Sequence, residues 1–82
     1  MEEFYLITFK NTHDAIGAEK VLKEKDLKPM VVPTPTMMTK SCGLSIRLSK
    51  EVINDIKELI ADEKISVKEM FIYINKEFKS VN

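Results

Sequence analysis

The stretch EFYLITFK, residues 3–10, is apolar or aromatic on both of the faces that a β-strand presents. One alternating set of side chains consists of Tyr5, Ile7 and Phe9, and the other consists of Phe4, Leu6 and Thr8. A strand that is apolar on both faces usually lies in the middle of its sheet. We therefore predict that this stretch is the central strand, and we place the other segments around it.

Two amphipathic helices are predicted, one directly after this strand and one in the second half of the chain. The first begins after Asn11 or Thr12, either of which can cap a helix N-terminus, and runs to about residue 25. Its apolar face consists of Ala15, Ala18, Val21 and Leu22. The second follows Ser49 and ends near residues 62–64. Its apolar stripe consists of Val52, Ile53, Ile56, Leu59 and Ile60, and we expect both helices to pack on a sheet.

Three further segments have strand character, namely residues 27–32, 43–48 and 65–74. Pro29 cannot donate a backbone hydrogen bond, which assigns its strand to an edge of the sheet. Residues 75–82 are mostly polar, and we expect them to be a fraying tail. The order β-α-β-β-α-β predicts a ferredoxin-like α+β fold, in which a four-stranded antiparallel sheet carries two helices on one face. The chain is then a single domain, residues 1–82, with a core of about 3–74.

The composition restricts the functions that the chain can have. Its 82 residues suffice for one domain, and 13 Lys and Arg balance 13 Asp and Glu. A nucleic-acid-binding protein usually has a basic excess, and a membrane span needs ~20 apolar residues in a row. We therefore expect no nucleic-acid partner and no membrane partner. A single cysteine and an acidic N-terminus without signal-peptide character indicate a cytoplasmic protein.

The segment PTPTMMTKSCG, residues 33–43, contains two of the three prolines, one of the two glycines and the only cysteine of the chain. Proline restricts the backbone and glycine frees it. In the predicted fold the third strand lies between the first two and runs antiparallel to both. Cys42, just before the third strand, and His13, just after the first, therefore come to the same end of the sheet. A helix N-terminus or a nearby cation lowers a thiol pKa from about 8.5 to roughly 3.5–7.5. We predict that Cys42 is a reactive thiol and that His13 lies beside it.

Neighbouring residues complete the predicted site. Thr39 and Ser41 can donate hydrogen bonds to a sulfur anion, Gly43 allows close approach of a partner, and Pro33 and Pro35 stiffen the segment. Arg47 is a solvated sheet residue or an anion contact. One cysteine and one histidine cannot supply the four ligands of a structural zinc site, so we expect no metal and no cofactor. The competing interpretation is that Cys42 is a small buried residue and His13 a surface residue.

The segments 11–15 (NTHDA) with Ala18 and Glu19, 33–35 (PTP) and 41–44 (SCGL) with Arg47 resemble a family of short bacterial proteins. The family is named "putative selenium/sulfur carrier protein-like". The resemblance covers residues 4–70 and implies that Cys42 carries sulfur or selenium as a persulfide or selenopersulfide. It implies that His13 and Thr12 are neighbours of Cys42 and that Pro35 and Gly43 shape the segment, so that Thr12, Pro35 and Gly43 belong to the substrate-binding site. The resemblance further implies that the protein's partners are enzymes that donate sulfur or selenium and enzymes that accept it. The chain is then a carrier or accessory protein rather than a stand-alone enzyme.

Two other functions remain open at this stage. The first and last strands carry apolar residues on the sheet face that the helices leave bare, which favours a regulatory or interaction module that forms a homodimer through that face. Fold alone does not decide between such a module and a carrier. RNA binding is the least favoured function, because residues 43–48 (GLSIRL) lack the stacking aromatic residues that RNA-binding domains of this topology use.

Overall fold

A computed structural model describes residues 3–35 and 43–81 of the chain. The elements follow in the order β1 (Phe4–Thr8), α1 (Thr12–Glu24), β2 (Met30–Pro33), β3 (Leu44–Ser49), α2 (Ile53–Ala61), β4 (Glu69–Ile74) and β5 (Glu77–Val81). A single 3-10 turn, Lys50–Val52, leads into α2. Neither described helix is long and apolar enough to cross a membrane.

The sheet is antiparallel throughout and has the strand order β2-β3-β1-β4-β5. The prediction that residues 3–10 form the central strand is confirmed, because β1 pairs with β3 on one side and with β4 on the other. Ile7 lies in register with Ile46 of β3 and with Met70 of β4. The strand that follows Pro29 is at the edge, as predicted, and β3 lies between β1 and β2.

The expectation of a four-stranded sheet with a fraying C-terminal tail is wrong. Residues 77–81 form a fifth strand, β5, which pairs with β4 from Met70↔Val81 to Ile74↔Glu77. The two strands are joined by Asn75 and Lys76, whose φ angles are 54° and 63°. Positive φ at both central residues is the geometry of the two-residue hairpin turn that usually contains Asn-Gly. Because Lys76 stands where glycine is common, the sequence lacks the usual hairpin signal.

Two of the predicted strands begin several residues later in the structure than the sequence pattern indicates. The segment 27–32 becomes a strand only at Met30, and the segment 65–74 only at Glu69. Each helix ends in a compact turn before the following strand. The N–H of Leu27 donates to the carbonyl of Leu22, and that of Lys64 donates to Leu59. Such bonds close a helix with one left-handed residue. Residues 28–29 and 65–68, which had been assigned to strands, connect these turns to β2 and β4.

The main core lies between the two helices and one face of the sheet. Its fully enclosed side chains come from β1 and the residue that follows it, from β3, and from the two helices, and they include Ile7, Phe9, Leu22, Ile46 and Ile56. The predicted helix faces are confirmed, since Ala15, Ala18 and Leu22 are buried on α1 and Ile56 and Leu59 on α2. The described residues therefore form a mixed α+β fold of two helices and a five-stranded antiparallel sheet.

The opposite face of the sheet carries a row of side chains that pack on one another, which we call the aromatic row (Arg47, Phe4, Tyr73 and Phe78). The ring centroids of Phe4 and Tyr73 are 4.8 Å apart, as are those of Tyr73 and Phe78. The guanidinium carbon of Arg47 lies 4.1 Å from the centroid of Phe4. The row crosses β3, β1, β4 and β5, so that β5 contributes a ring to it. Contacts of this kind stabilise by about 0.5–1.5 kcal/mol each beyond the area that they bury.

Replacing Lys76 with glycine is expected to stabilise the fold. A non-glycine residue in the left-handed region costs ~1 kcal/mol, and Lys76→Gly removes most of that cost from the β4–β5 turn. We expect an increase of about 0.5–1 kcal/mol in the free energy of unfolding, measured by urea denaturation. Lys79→Gly, within β5, is the matched control and should lower it by a similar amount. A loss of stability in Lys76→Gly would contradict the hairpin.

Candidate functional site

The predicted site lies at one end of the sheet, which we call the Gly43 end and define by the pairs Thr8↔Ser45 and Pro33↔Leu44. One residue pair further out, the N–H of Thr34 donates to the carbonyl of Gly43 over 3.0 Å. Residues 34 and 43 are thus held together on either side of the segment 36–42, which lies outside the described ranges. Pro35 and Gly43 stand at the two ends of that segment.

The proposed sulfur-binding residues of the segment are not among the described residues. Cys42, Ser41 and Thr39 all fall between Pro35 and Gly43, outside the described ranges 3–35 and 43–81. The prediction that Cys42 is a reactive thiol therefore stays a prediction. What the structure does give is the framework on both sides of them, since Cys42 is bonded directly to Gly43.

Gly43 is exposed, and a Cβ atom added to it would meet no heavy atom of the described residues within 4 Å. Its φ does not lie in the left-handed region that favours glycine. Neither the local conformation nor the packing that the structure describes therefore requires glycine at this position. Among the residues that the structure describes, none fills the space beside the Cα atom of Gly43.

A group of hydroxyl side chains at the Gly43 end was not identified from the sequence. The hydroxyls of Thr34 and Ser45 are 2.7 Å apart, so one donates to the other. Thr8, in register with Ser45, donates to the carbonyl of Glu69 over 3.5 Å. Ser45 and Thr8 are 0% and 1% exposed although they lie on the sheet face opposite the helices. The clue in the sequence was the alternation of β3, which places Ser45 opposite its apolar neighbours.

His13 and Thr12 lie in the first turn of α1, and both side chains are exposed. The helix N-terminus is capped by Asn11, whose side-chain oxygen accepts from the N–H of Asp14 over 2.8 Å. His13 lines an open cavity of about 320 Å³ together with Lys64 and Ser66, which belong to the connection between α2 and β4. This connection reaches the sheet on the β4 side of β1, where the N–H of Lys68 donates to the carbonyl of Thr8.

Arg47 is placed away from the other predicted site residues. It follows Gly43 by four positions, which corresponds to roughly 13 Å along a strand. Its side chain belongs to the aromatic row, on the face opposite the helices, where it lies over Phe4. The structure thus brings Thr12, His13, Pro35 and Gly43 to one end of the domain and separates Arg47 from them. Among the described residues, no three His, Cys, Asp or Glu side chains converge as a metal site requires.

Comparison with known proteins finds a matching family. The chain matches the model of a family described as "Putative Se/S carrier protein-like" over residues 4–72. No curated protein matches the chain, and no solved structure matches it. The matched range begins with β1, contains Cys42 and Gly43, and ends within β4, so that β5 lies outside it. Because the match covers more than four fifths of the residues, the chain belongs to the Se/S carrier protein-like family.

Proposed function

We propose that this protein carries one sulfur or selenium atom on Cys42, as a persulfide or selenopersulfide, and delivers it to a partner enzyme. The observation that carries the proposal is the family match over residues 4–72, combined with the presence of a single cysteine within that range. A carrier of this kind needs one accessible thiol and a scaffold, and it needs no cofactor for the transfer itself.

Loading is a thiolate displacement at the terminal sulfur of a donor persulfide. The thiolate of Cys42 attacks that atom, a new S–S bond forms, and the bond between the donor's two sulfurs breaks. Cys42–S⁻ and R–S–S–H therefore give Cys42–S–S–H and R–S⁻, with the proton kept on the transferred sulfur. There is no net oxidation or reduction. With selenium as the terminal atom, the same bonds form and break.

Delivery repeats the displacement with the roles exchanged. A nucleophile of the acceptor enzyme attacks the terminal sulfur or selenium atom, and Cys42 leaves as a thiolate. A thiol that is stable as a thiolate serves as a good leaving group, because exchange is faster when the leaving thiol has a lower pKa. Stabilising the anion of Cys42 therefore helps the carrier in two ways. It increases the fraction of Cys42 that is present as the thiolate for loading, and it makes Cys42 a better leaving group during delivery.

The Gly43 end provides a suitable support for such a residue. The bond between Thr34 and Gly43 holds both ends of the segment that contains Cys42. The exposed Gly43 has no side chain that would obstruct a donor or acceptor approaching its neighbour in the sequence. We propose that Thr39, Ser41 and Thr12 donate hydrogen bonds to the sulfur anion and that Pro35 restricts the segment.

His13 is proposed as the cationic group that stabilises the thiolate. Support comes from the pairing Thr8↔Ser45, because α1 begins four residues after Thr8 and Cys42 precedes Ser45 by three. The cavity beside His13 is bounded by residues from the β4 side of β1, whereas Cys42 precedes β3 on the other side. We propose that His13 acts on the thiolate of Cys42 either through its charge or through a partner protein bound at the Gly43 end. The following experiment tests whether His13 contributes to the thiolate's stability.

The apparent pKa of Cys42 is expected to lie well below ~8.5 and to rise when His13 is removed. Because the chain has one cysteine, the rate of alkylation against pH reports on Cys42 alone. His13→Ala should move the midpoint upward, since a cation favours the thiolate. Lys23→Ala, at the other end of α1, is the matched control and should leave the midpoint unchanged. A midpoint at or above the ordinary value in the unaltered protein would make Cys42 a structural residue.

Sulfur loading is expected to require Cys42 and to depend on the size of residue 43. After incubation with a small persulfide donor, the intact mass should increase by one sulfur atom, and Cys42→Ser should show no increase. Gly43→Ala should slow the transfer while changing the free energy of unfolding by no more than about 0.5 kcal/mol, because its Cβ would meet no described atom. Gly17→Ala, on α1, is the control for a harmless added methyl group. Equal loading of Cys42→Ser would refute the proposal.

A second function is supported by the sheet face that no helix covers. Phe71, Tyr73 and Phe78 are only half-buried there, and Met30 of β2 on the same face is 55% exposed. An apolar surface of this kind favours an interaction module that forms a homodimer. That function predicts a dimer in sedimentation experiments, which Met30→Glu would dissociate and Cys42→Ser would leave intact. A monomer at millimolar concentration would exclude it, and it would leave the carrier function unaffected.

A further inference from the structure

The two outer edges of the sheet differ in their capacity to accept a further strand. Within the described residues, β2 pairs only with β3, and β5 pairs only with β4. In an antiparallel strand, the backbone N–H and C=O groups of alternate residues point to opposite sides. The residues that point outward therefore decide whether another strand can bind.

The outer side of β2 is closed by proline. The N–H of Thr34 donates to the carbonyl of Gly43, so the even-numbered residues are those that bond to β3. The backbone groups of Val31 and Pro33 then point outward, and Pro33 has no N–H to donate. Pro29, directly before the strand, has none either. A strand arriving at this edge would find one donor, the N–H of Val31, between two prolines.

The outer side of β5 has no such obstruction. The turn 75–76 has two residues, and the residues that flank such a turn, here Ile74 and Glu77, form a hydrogen-bonded pair. The odd-numbered residues of β5 therefore bond to β4, and Phe78 and Ser80 direct their N–H and C=O groups outward. Ser80 is exposed and Phe78 is half-buried. This edge can accept a strand through main-chain hydrogen bonds.

The charged side chains of β5 make the strand complementary to an antiparallel copy of itself. Glu77 and Lys79 are exposed and lie on the sheet face opposite the aromatic row, to which Phe78 belongs. Their neighbours on β4 are Ile74 and Ile72. Within the described residues, neither charged side chain takes part in an ion pair. In chain order the three residues are negative, aromatic and positive, and an antiparallel copy presents the reverse order.

We propose that β5 pairs with β5 of a second copy of this chain, with Phe78 opposite the partner's Phe78. In this register Glu77 faces the partner's Lys79, and Lys79 faces the partner's Glu77. Two main-chain hydrogen bonds join the two Phe78 residues. The two five-stranded sheets become continuous, and the two aromatic rows meet at Phe78 on one face of the combined sheet.

Two other registers would also bond the outward-pointing groups. Placing Phe78 opposite the partner's Ser80 brings Lys79 directly opposite the partner's Lys79, and like charges in that position are destabilising. Placing Ser80 opposite the partner's Ser80 brings Lys79 opposite the partner's Val81 and leaves Glu77 without an opposite charge. The proposed register is the one of the three that pairs both charges.

The pairing directs the Gly43 ends of the two copies away from each other. Strand β5 ends beside the start of β4, where Val81 pairs with Met70, and β4 starts at the Gly43 end, where Glu69 pairs with Thr8. Because the two copies of β5 are antiparallel, their Gly43 ends point in opposite directions. The contact involves neither Cys42 nor Met30, so it holds or fails independently of the carrier function and of a dimer formed by sheet faces.

The test is sedimentation equilibrium at low ionic strength with two single charge reversals. The contact is short, so we expect the unaltered protein to dimerise with a Kd on the order of 0.1–1 mM. Glu77→Lys and Lys79→Glu should each weaken self-association about tenfold, because each variant makes both attractive pairs repulsive. An equimolar mixture of the two variants should associate as the unaltered protein does, because opposite charges face each other again in the mixed dimer.

Two further charge reversals and one apolar substitution are the controls. Lys20→Glu and Glu24→Lys, both exposed on α1, should leave the association unchanged, alone and mixed. Met30→Glu should also leave it unchanged, whereas it would dissociate a dimer formed by the bare sheet faces. The proposal would be overturned by a monomer at ~1 mM, by dissociation in Met30→Glu, or by a mixture that associates no better than its two components.

Discussion

The whole domain depends on β1 being buried on both of its faces. Ile7 packs against the helices in register with Ile46 and Met70, while Leu6, on the other face, is only 2% exposed although no helix covers it. A strand with this property cannot lie at an edge without exposing apolar side chains. It therefore fixes the centre of the sheet. Strands β3 and β4 are positioned by pairing with β1, and β2 and β5 are positioned by pairing with β3 and β4.

Much of this arrangement was predictable from the sequence, because it follows from periodicity. The alternation of residues 3–10, the apolar stripe of α2 and the proline before β2 each identify an element by the face that it must bury or the bond that it cannot make. The fifth strand was not predictable in the same way. Its turn has Lys76 in a left-handed conformation that the rest of the hairpin enforces, and tertiary context of this kind leaves no local signal.

The predicted functional residues show the same distinction between features that follow from the sequence pattern and features that depend on tertiary context. Topology alone predicted that the start of β3 and the start of α1 share one end of the sheet, and the antiparallel pairing of β3 with both β1 and β2 confirms the strand arrangement behind that prediction. The structure places Arg47 away from that end, because Arg47 follows Gly43 by four positions along β3 and its side chain lies over Phe4 on the face opposite the helices. Cavities and hydroxyl contacts depend on side chains from several elements, which a linear pattern does not reveal.

The main-chain bond between Thr34 and Gly43 has a consequence for how such a family can diversify. Once the two ends of a connecting segment are held together, the entropic free-energy cost of closing the loop rises only with the logarithm of its length. Each doubling of the length costs about 0.6 kcal/mol. Insertions and deletions between these two residues would therefore change the length of the segment that contains Cys42 while leaving the stability of the fold almost constant. If Cys42 carries sulfur or selenium as proposed, the reach of the carrier toward different partners can evolve through the length of this segment, with the sheet and helices unaltered.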